Sequence, residues 1–153
     1  MVIARLAEVR LHRFKSFRGA TVPLGDLTIL TGRNSSGKSN VLDAIEALSR
    51  ISGGEFLGDA LDGGRREGDP VRGGSRGCAP YGEISFKIGC RIEIGDDGTA
   101  LDYDVEVGVD PTLKILDERL VQTGAGEEKV WFDVKRASRE GLEISYRSGV
   151  NGS

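Results

Sequence analysis

The run Gly32-Arg33-Asn34-Ser35-Ser36-Gly37-Lys38-Ser39 constrains this chain more than any other stretch, because it meets the pattern G-x-x-x-x-G-K-[ST] at every required position. Backbone N–H groups converge on a phosphate only from a loop with little side-chain bulk, and Gly32 and Gly37 permit such a turn. A helix must start directly behind the loop, so that its unpaired N–H groups and its dipole complete the anion cradle. Residues 36–51 suit that helix: Val41, Leu42, Ile45, Leu48 and Ile51 recur at helical spacing, with Asp43, Glu46 and Arg50 on the other side. A buried strand should deliver the chain to the loop, and Leu27-Thr28-Ile29-Leu30 is a short apolar run of the right kind. In that frame Lys38 reaches the β- and γ-phosphates of a nucleoside triphosphate, and the Ser39 hydroxyl joins the coordination of Mg²⁺.

The order of phrases around the loop is distinctive. Arg13-Phe14-Lys15-Ser16-Phe17, then residues 27–31, then 32–40, then Val41-Leu42-Asp43-Ala44-Ile45 resembles the N-terminus of ABC-type ATPases of the SMC, RecF and OLD-like group. The resemblance implies a mixed α/β fold, the N-terminal lobe of a P-loop NTPase, in which a phosphate-loop helix is joined by an antiparallel β-sheet. It implies ATP and Mg²⁺ as ligands, with Gly32, Arg33, Asn34, Ser35, Ser36, Gly37, Lys38, Ser39 and Asn40 around the nucleotide. It also implies that Lys15, Ser16 and Phe17 lie beside the adenine or ribose; otherwise they are a strand end with an anchoring aromatic. Gln122, the only glutamine, takes the place of the residue that senses Mg²⁺ and water in such ATPases, or else it is a polar strand end. Ser35 stands where many relatives have glycine. If the loop needs left-handed backbone there, the substitution costs about 1 kcal/mol of strain.

Length and composition agree with one domain. With 38% hydrophobic and 29% charged residues, the chain has enough apolar content for a core and reads as an ordinary soluble globular protein. No basic head followed by an apolar core opens the sequence, and no apolar stretch approaches a membrane span, so a cytoplasmic setting without membrane contact is expected. Cys78 and Cys90 lack the spacing of a zinc set and are expected to be free thiols. A net charge of −3 gives no overall pull towards nucleic acid. His12, the only histidine, falls in an amphipathic strand over residues 4–14 and is expected at the surface. A turn, a short strand through Val22 and a second turn should follow over residues 19–26.

Three segments complete the chain: residues 1–51 with the loop and its helix, 52–80, and 81–153. Ile51-Ser52-Gly53-Gly54-Glu55 imitates the ABC signature L-S-G-G-Q, but it lies at the end of the phosphate helix, where Gly53 reads as a helix stop. Residues 52–80 are rich in glycine and carry Arg65, Arg66, Arg72 and Arg76, which predicts a mobile solvated loop over 63–77 with one short helix at 55–61. The alternative there is an arginine contact to nucleic-acid phosphate. From Ile84 onward the period becomes two. Strands over 84–94 and 101–109, joined by the turn at 95–99, predict an antiparallel hairpin, with further strands at 113–121, 129–135 and 142–146.

Leu113-Lys114-Ile115-Leu116-Asp117-Glu118 imitates a Walker B strand, though Lys114 is out of place in a strand buried on both faces. Without a downstream signature, Walker B or switch histidine, no catalytic residue is assigned within the chain. It is expected to be an N-terminal lobe, occurring separately or within a longer protein, whose ATP would be sandwiched against a second ATPase head. DNA is a further candidate partner, and DNA repair, chromosome handling or phage defence are the roles the resemblance implies. Two other readings stay open: a self-contained small P-loop kinase or NTPase using Asp117 and Glu118, and a nucleotide-binding module without turnover.

Overall fold

A computed structural model of the protein describes residues 3–63, 69–124, 126–137 and 141–145. The elements are β1 (Ala4–Arg13), β2 (Ala20–Pro23), α1 (Lys38–Ser52), α2 (Leu57–Asp62), α3 (Gly74–Cys78), β3 (Ser85–Ile94), β4 (Thr99–Gly108), β5 (Lys114–Gly124), β6 (Glu127–Ala137) and β7 (Gly141–Ser145). The strands form one antiparallel sheet in the order β2-β1-β3-β4-β5-β6-β7. The expected mixed α/β class, with a phosphate-loop helix and an antiparallel sheet, is what forms. The β3–β4 hairpin runs in continuous register from Ser85↔Gly108 to Ile94↔Thr99, as the two-residue alternation requires.

That alternation gives the sheet two unlike faces. Val9, Leu11, Phe86, Ile88, Val105 and Val107 are fully buried on one face, in a core that Ala44, Ala47, Leu48 and Ile51 of α1 join. The opposite face is a lattice of ion pairs centred on Arg10, whose guanidinium reaches Glu8, Asp102 and Asp104 at 2.8–3.0 Å. Arg10 also donates to the Cys90 carbonyl at 2.9 Å, passing over Gly89. A Cβ at Gly89 would stand 2.0 Å from Asp104 Oδ1 and 2.7 Å from the Tyr103 carbonyl oxygen, so only glycine fits under this crossing. His12 lies at this face's margin, bonded through Nε2 to Asp104 Oδ1 at 2.9 Å, the surface strand position expected of it.

Three expectations need correction. Residues 27–30 form no strand, and Leu27 and Ile29 are 81% and 74% exposed rather than buried. A strand needs a neighbouring ladder, and among the described residues none runs beside this segment; the nearby edge strand β2 pairs only with β1. Leu42 is 60% exposed, because α1 approaches the sheet through its alanines and the flank carrying Leu42 turns away. The glycine- and arginine-rich segment is not a solvated loop where it is described. Leu61, Val71 and Cys78 are fully buried, and α2 and α3 fold over the end of the core. Asp62 Oδ1 accepts the Ser75 N–H at 2.7 Å and pins the start of α3. Residues 64–68, including Arg65 and Arg66, lie outside the described residues.

Candidate phosphate-binding site

The loop at residues 32–37 is built by backbone conformation. Gly32 and Gly37 adopt φ of +151° and +96°, both in the region that side chains avoid. A Cβ on Gly32 would stand 2.8 Å from Ser36 Oγ, and one on Gly37 would stand 2.8 Å from Phe17 Cζ. Ser35 has φ +66°, so the position that resemblance marked as needing positive φ does need it, and the serine accepts the strain. Gly37 caps α1: its carbonyl accepts the Asn40 and Val41 N–H groups at 2.9 and 3.3 Å. No acidic residue sits in the first turn of α1, so the positive end of its dipole is unopposed by the helix's own side chains.

Lys38 projects back over the loop. Its Nζ donates to the Gly32 and Arg33 carbonyl oxygens at 2.7 Å each and to Ser36 Oγ at 3.3 Å. A cavity of about 400 Å³ opens here, walled by residues 34–40, Ser16 and Arg72. Among the described residues its charged lining is Lys38 and Arg72, and none of them contributes a carboxylate to the wall. The arrangement suits a polyanion: two cations, and the hydroxyls of Ser16, Ser35, Ser36 and Ser39.

The three residues of the turn after β1, Lys15, Ser16 and Phe17, divide their roles. Ser16 is on the cavity wall, where its Oγ accepts the Asn40 amide at 2.9 Å. Lys15 is turned away and buried. Its Nζ donates to Asp43 Oδ2 and to the Arg72 carbonyl, both at 2.6 Å, and its backbone is left-handed at φ +52°. Phe17 is not on the wall either; its ring buttresses Gly37 from behind.

Arg72 is the site residue that sequence reasoning did not separate from its neighbours. Grouped with Arg65, Arg66 and Arg76 as one basic loop, it alone of the described arginines of that segment lines the cavity. Its guanidinium donates to Asn40 Oδ1 at 2.6 Å and Asp43 Oδ2 at 2.9 Å. The signal was Val71: an apolar residue inside a polar glycine-rich run is an anchor, and its burial brings the next side chain to α1. Arg76 points elsewhere and pairs with Asp110 at 2.9 Å.

Gln122 is not brought to the cavity. It lies on β5, and its Oε1 accepts the Trp131 indole N–H at 3.1 Å. The Walker B imitation fails on geometry. Asp117 and Glu118 are consecutive on an antiparallel strand and face opposite sides of the sheet, Asp117 pairing with Lys87 at 2.8 Å and Glu118 accepting the Tyr103 hydroxyl at 2.7 Å. Neither lines the cavity. The signature-like run is a helix end: Gly53 caps α1, and Gly54, at φ +78°, donates to the Ile51 carbonyl at 3.1 Å.

Residues 27–148 match the family described as AAA domain, putative AbiEii toxin, Type IV TA system. Among curated proteins, the chain is 41% identical over 56 residues to the DNA replication and repair protein RecF of a Nocardioides species, covering 36% of this chain and 13% of that protein. It is 34% identical over 59 residues to Structural maintenance of chromosomes protein 1 of Arabidopsis thaliana, covering 37% of this chain and 5% of that protein. The chain thus spans a small part of the length of these relatives. The fold is similar to a solved structure of the recombination mediator protein RecF with ATP, at a TM-score of 0.50 and 17% identity, over 84% of this chain and 29% of that one. The chain belongs to this AAA-domain family, and its fold and phosphate loop are those of the N-terminal portion of SMC/RecF-like ABC-type P-loop ATPases.

Proposed function

We propose that the chain is the ATP-binding portion of an SMC/RecF-like ATPase and holds the triphosphate in the cavity between residues 34–40, Ser16 and Arg72. The observation that carries this reading is the Lys38 ammonium held over the loop by the Gly32 and Arg33 carbonyls at 2.7 Å, beside a cavity to whose wall no described residue brings a carboxylate. Backbone N–H groups of the loop and of the first turn of α1 would bind the phosphates, with Lys38 and Arg72 neutralising their charge. Ser39 supplies a hard hydroxyl oxygen at the start of α1, a donor that suits Mg²⁺. Among the described residues no three His, Cys, Asp or Glu side chains are grouped to hold a metal, so the ion would arrive with the phosphates. Of Lys15, Ser16 and Phe17, only Ser16 lines the cavity, so it is the one that would meet the sugar.

Hydrolysis is expected to need groups from outside this lobe, because no described acidic residue stands where it could orient a water at the cavity. A second ATPase head closing over the nucleotide would supply them, in a protein acting in DNA repair, chromosome handling or phage defence. Isothermal titration of ATP with Mg²⁺ tests the site: Lys38→Ala should lose binding while keeping its circular dichroism spectrum, and equal affinity in the two proteins would remove the assignment. A phosphate-release assay on the chain, repeated with Asp117→Asn and Glu118→Gln, should show no enzymatic turnover. Turnover that either substitution silences would establish the small-kinase reading instead.

A further inference from the structure

Both ends of Arg72 hang from one ammonium. Lys15 Nζ donates to the Arg72 carbonyl oxygen and to Asp43 Oδ2, each at 2.6 Å, and that same carboxylate oxygen accepts from Arg72 Nε at 3.2 Å and from its Nη2 at 2.9 Å. Lys15 thus grips the backbone of Arg72 directly and its guanidinium through Asp43. Asn40 closes the clamp from α1, its Oδ1 accepting from Nη2 at 2.6 Å.

Arg72 needs such a grip. Its side chain is 61% exposed, and Gly73 and Gly74 follow it with left-handed backbone at φ +88° and +62°. Neither packing nor local stiffness would fix where the guanidinium stands, and an arginine free to sample its rotamers gives up much of its attraction for an anion on ordering. Lys15, by contrast, is fixed. Its side chain is 9% exposed, and its backbone N–H donates to the Cys78 carbonyl at 2.9 Å. It takes the first place in a two-residue turn closed by reciprocal Phe14 and Phe17 backbone bonds at 2.8 and 3.2 Å. Its φ there is +52°, a conformation that such turns ordinarily assign to glycine, asparagine or aspartate. A long side chain held on strained backbone, with its ammonium spent inside the protein, has its task inside the protein. Lys15 lines no part of the cavity wall, whereas Arg72 does.

We propose that Lys15 is a positioning residue: without touching the nucleotide it sets the Arg72 guanidinium at the cavity, and it raises triphosphate affinity through Arg72. The inference rests on the reading of that cavity as a triphosphate site. Every group of the clamp belongs to this chain.

The first measurement uses no nucleotide. Trypsin cuts after arginine, and the carbonyl that Lys15 holds is that of the Arg72–Gly73 peptide bond. In a timed digest read by mass spectrometry, Lys15→Met should speed cleavage after Arg72 about tenfold relative to cleavage after Arg91, which lies inside β3 and is reached only when the sheet opens. Equal acceleration at both bonds would reduce Lys15 to a general stabiliser, and no acceleration would show that it does not hold Arg72; either result overturns the proposal.

The second is a double-mutant cycle in ATP affinity by titration calorimetry. Lys15→Met and Arg72→Ala should each weaken ATP about fivefold or more, and the double variant should bind no more weakly than Arg72→Ala alone. Losses that multiply would mean that Lys15 acts on the nucleotide by itself, which overturns the proposal. ATP binding that Lys15→Met leaves unchanged overturns it while sparing the triphosphate reading; an unaltered chain that binds no ATP removes both. If Lys15→Met does not fold, Lys15→Met with Asp43→Asn, which strands no buried charge, replaces it in both measurements and must give the same results.

Discussion

The ring of Phe17 lies directly behind Gly37, so that a Cβ on the glycine would stand 2.8 Å from Phe17 Cζ. The turn after β1 thereby sets the position of the phosphate loop's last turn, and Gly37 is required both for its φ of +96° and for this close approach. Gly37→Ala should therefore lower ATP affinity at least tenfold by displacing the loop, with the core intact; titration calorimetry beside a thermal melt measures both. Unchanged affinity would mean that the loop adapts without cost.

Asp43 binds two cations from two segments, Lys15 at 2.6 Å and Arg72 at 2.9 Å. Lys15 and Asp43 are both largely buried, with 9% and 13% of their side chains exposed, so removing one strands the other. Asp43→Ala should destabilise the fold by about 3 kcal/mol. Arg72→Ala, at a guanidinium 61% exposed, should leave the urea midpoint nearly unchanged and weaken ATP instead. A large loss of stability in the second variant, or none in the first, would contradict this division.

Gly89 lies under the Arg10 crossing, and the atoms a Cβ would meet there include the Tyr103 backbone carbonyl at 2.7 Å, which cannot rotate away. Gly89→Ala is expected to cost about 2 kcal/mol or more through displacement of β4 and disruption of the Arg10 pairs. The difference in urea midpoint, at unchanged m-value, reads this out.

Burial pushes the Cys78 thiol up from its ordinary 9.0 to about 12 and the Cys90 thiol to about 11. Burial, reinforced by the hydrogen bond to Glu118, also raises the Tyr103 phenol. Above pH 9 the folded chain therefore binds more protons than the unfolded one. Stability should be full below that pH and fall as pH rises towards 12, by roughly 1.4 kcal/mol per pH unit for each group that has ionised only in the unfolded chain. Urea unfolding at pH 8, 9 and 10 follows this. At pH 8 neither cysteine should react with a disulfide reagent until the chain unfolds.

Local chemistry made much of this protein legible in advance. The phosphate loop is specified by glycine spacing and one lysine, the helix behind it by apolar periodicity, and the β3–β4 hairpin by strict alternation around a turn. Each depends on contacts between residues close in sequence, and each forms where expected. The need for left-handed backbone at Ser35 was likewise a property of the loop alone.

Tertiary packing decided the rest. Residues 27–30 have the composition of a buried strand, but pairing requires a neighbour that the segment's own sequence cannot specify, and Leu27 and Ile29 remain exposed. The segment after α1 reads as a loop because glycine and arginine dominate it, whereas buried Leu61, Val71 and Cys78 fix it to the core, and Val71 brings Arg72 to the cavity at the loop. Asp117 and Glu118 spell a catalytic phrase in one dimension, and the pleat sends them to opposite faces, one to Lys87 and the other to Tyr103. Sequence sets what a residue can do chemically and which local geometry it prefers; which groups meet is set by long-range burial, because only the packed sheet determines which faces are left to water.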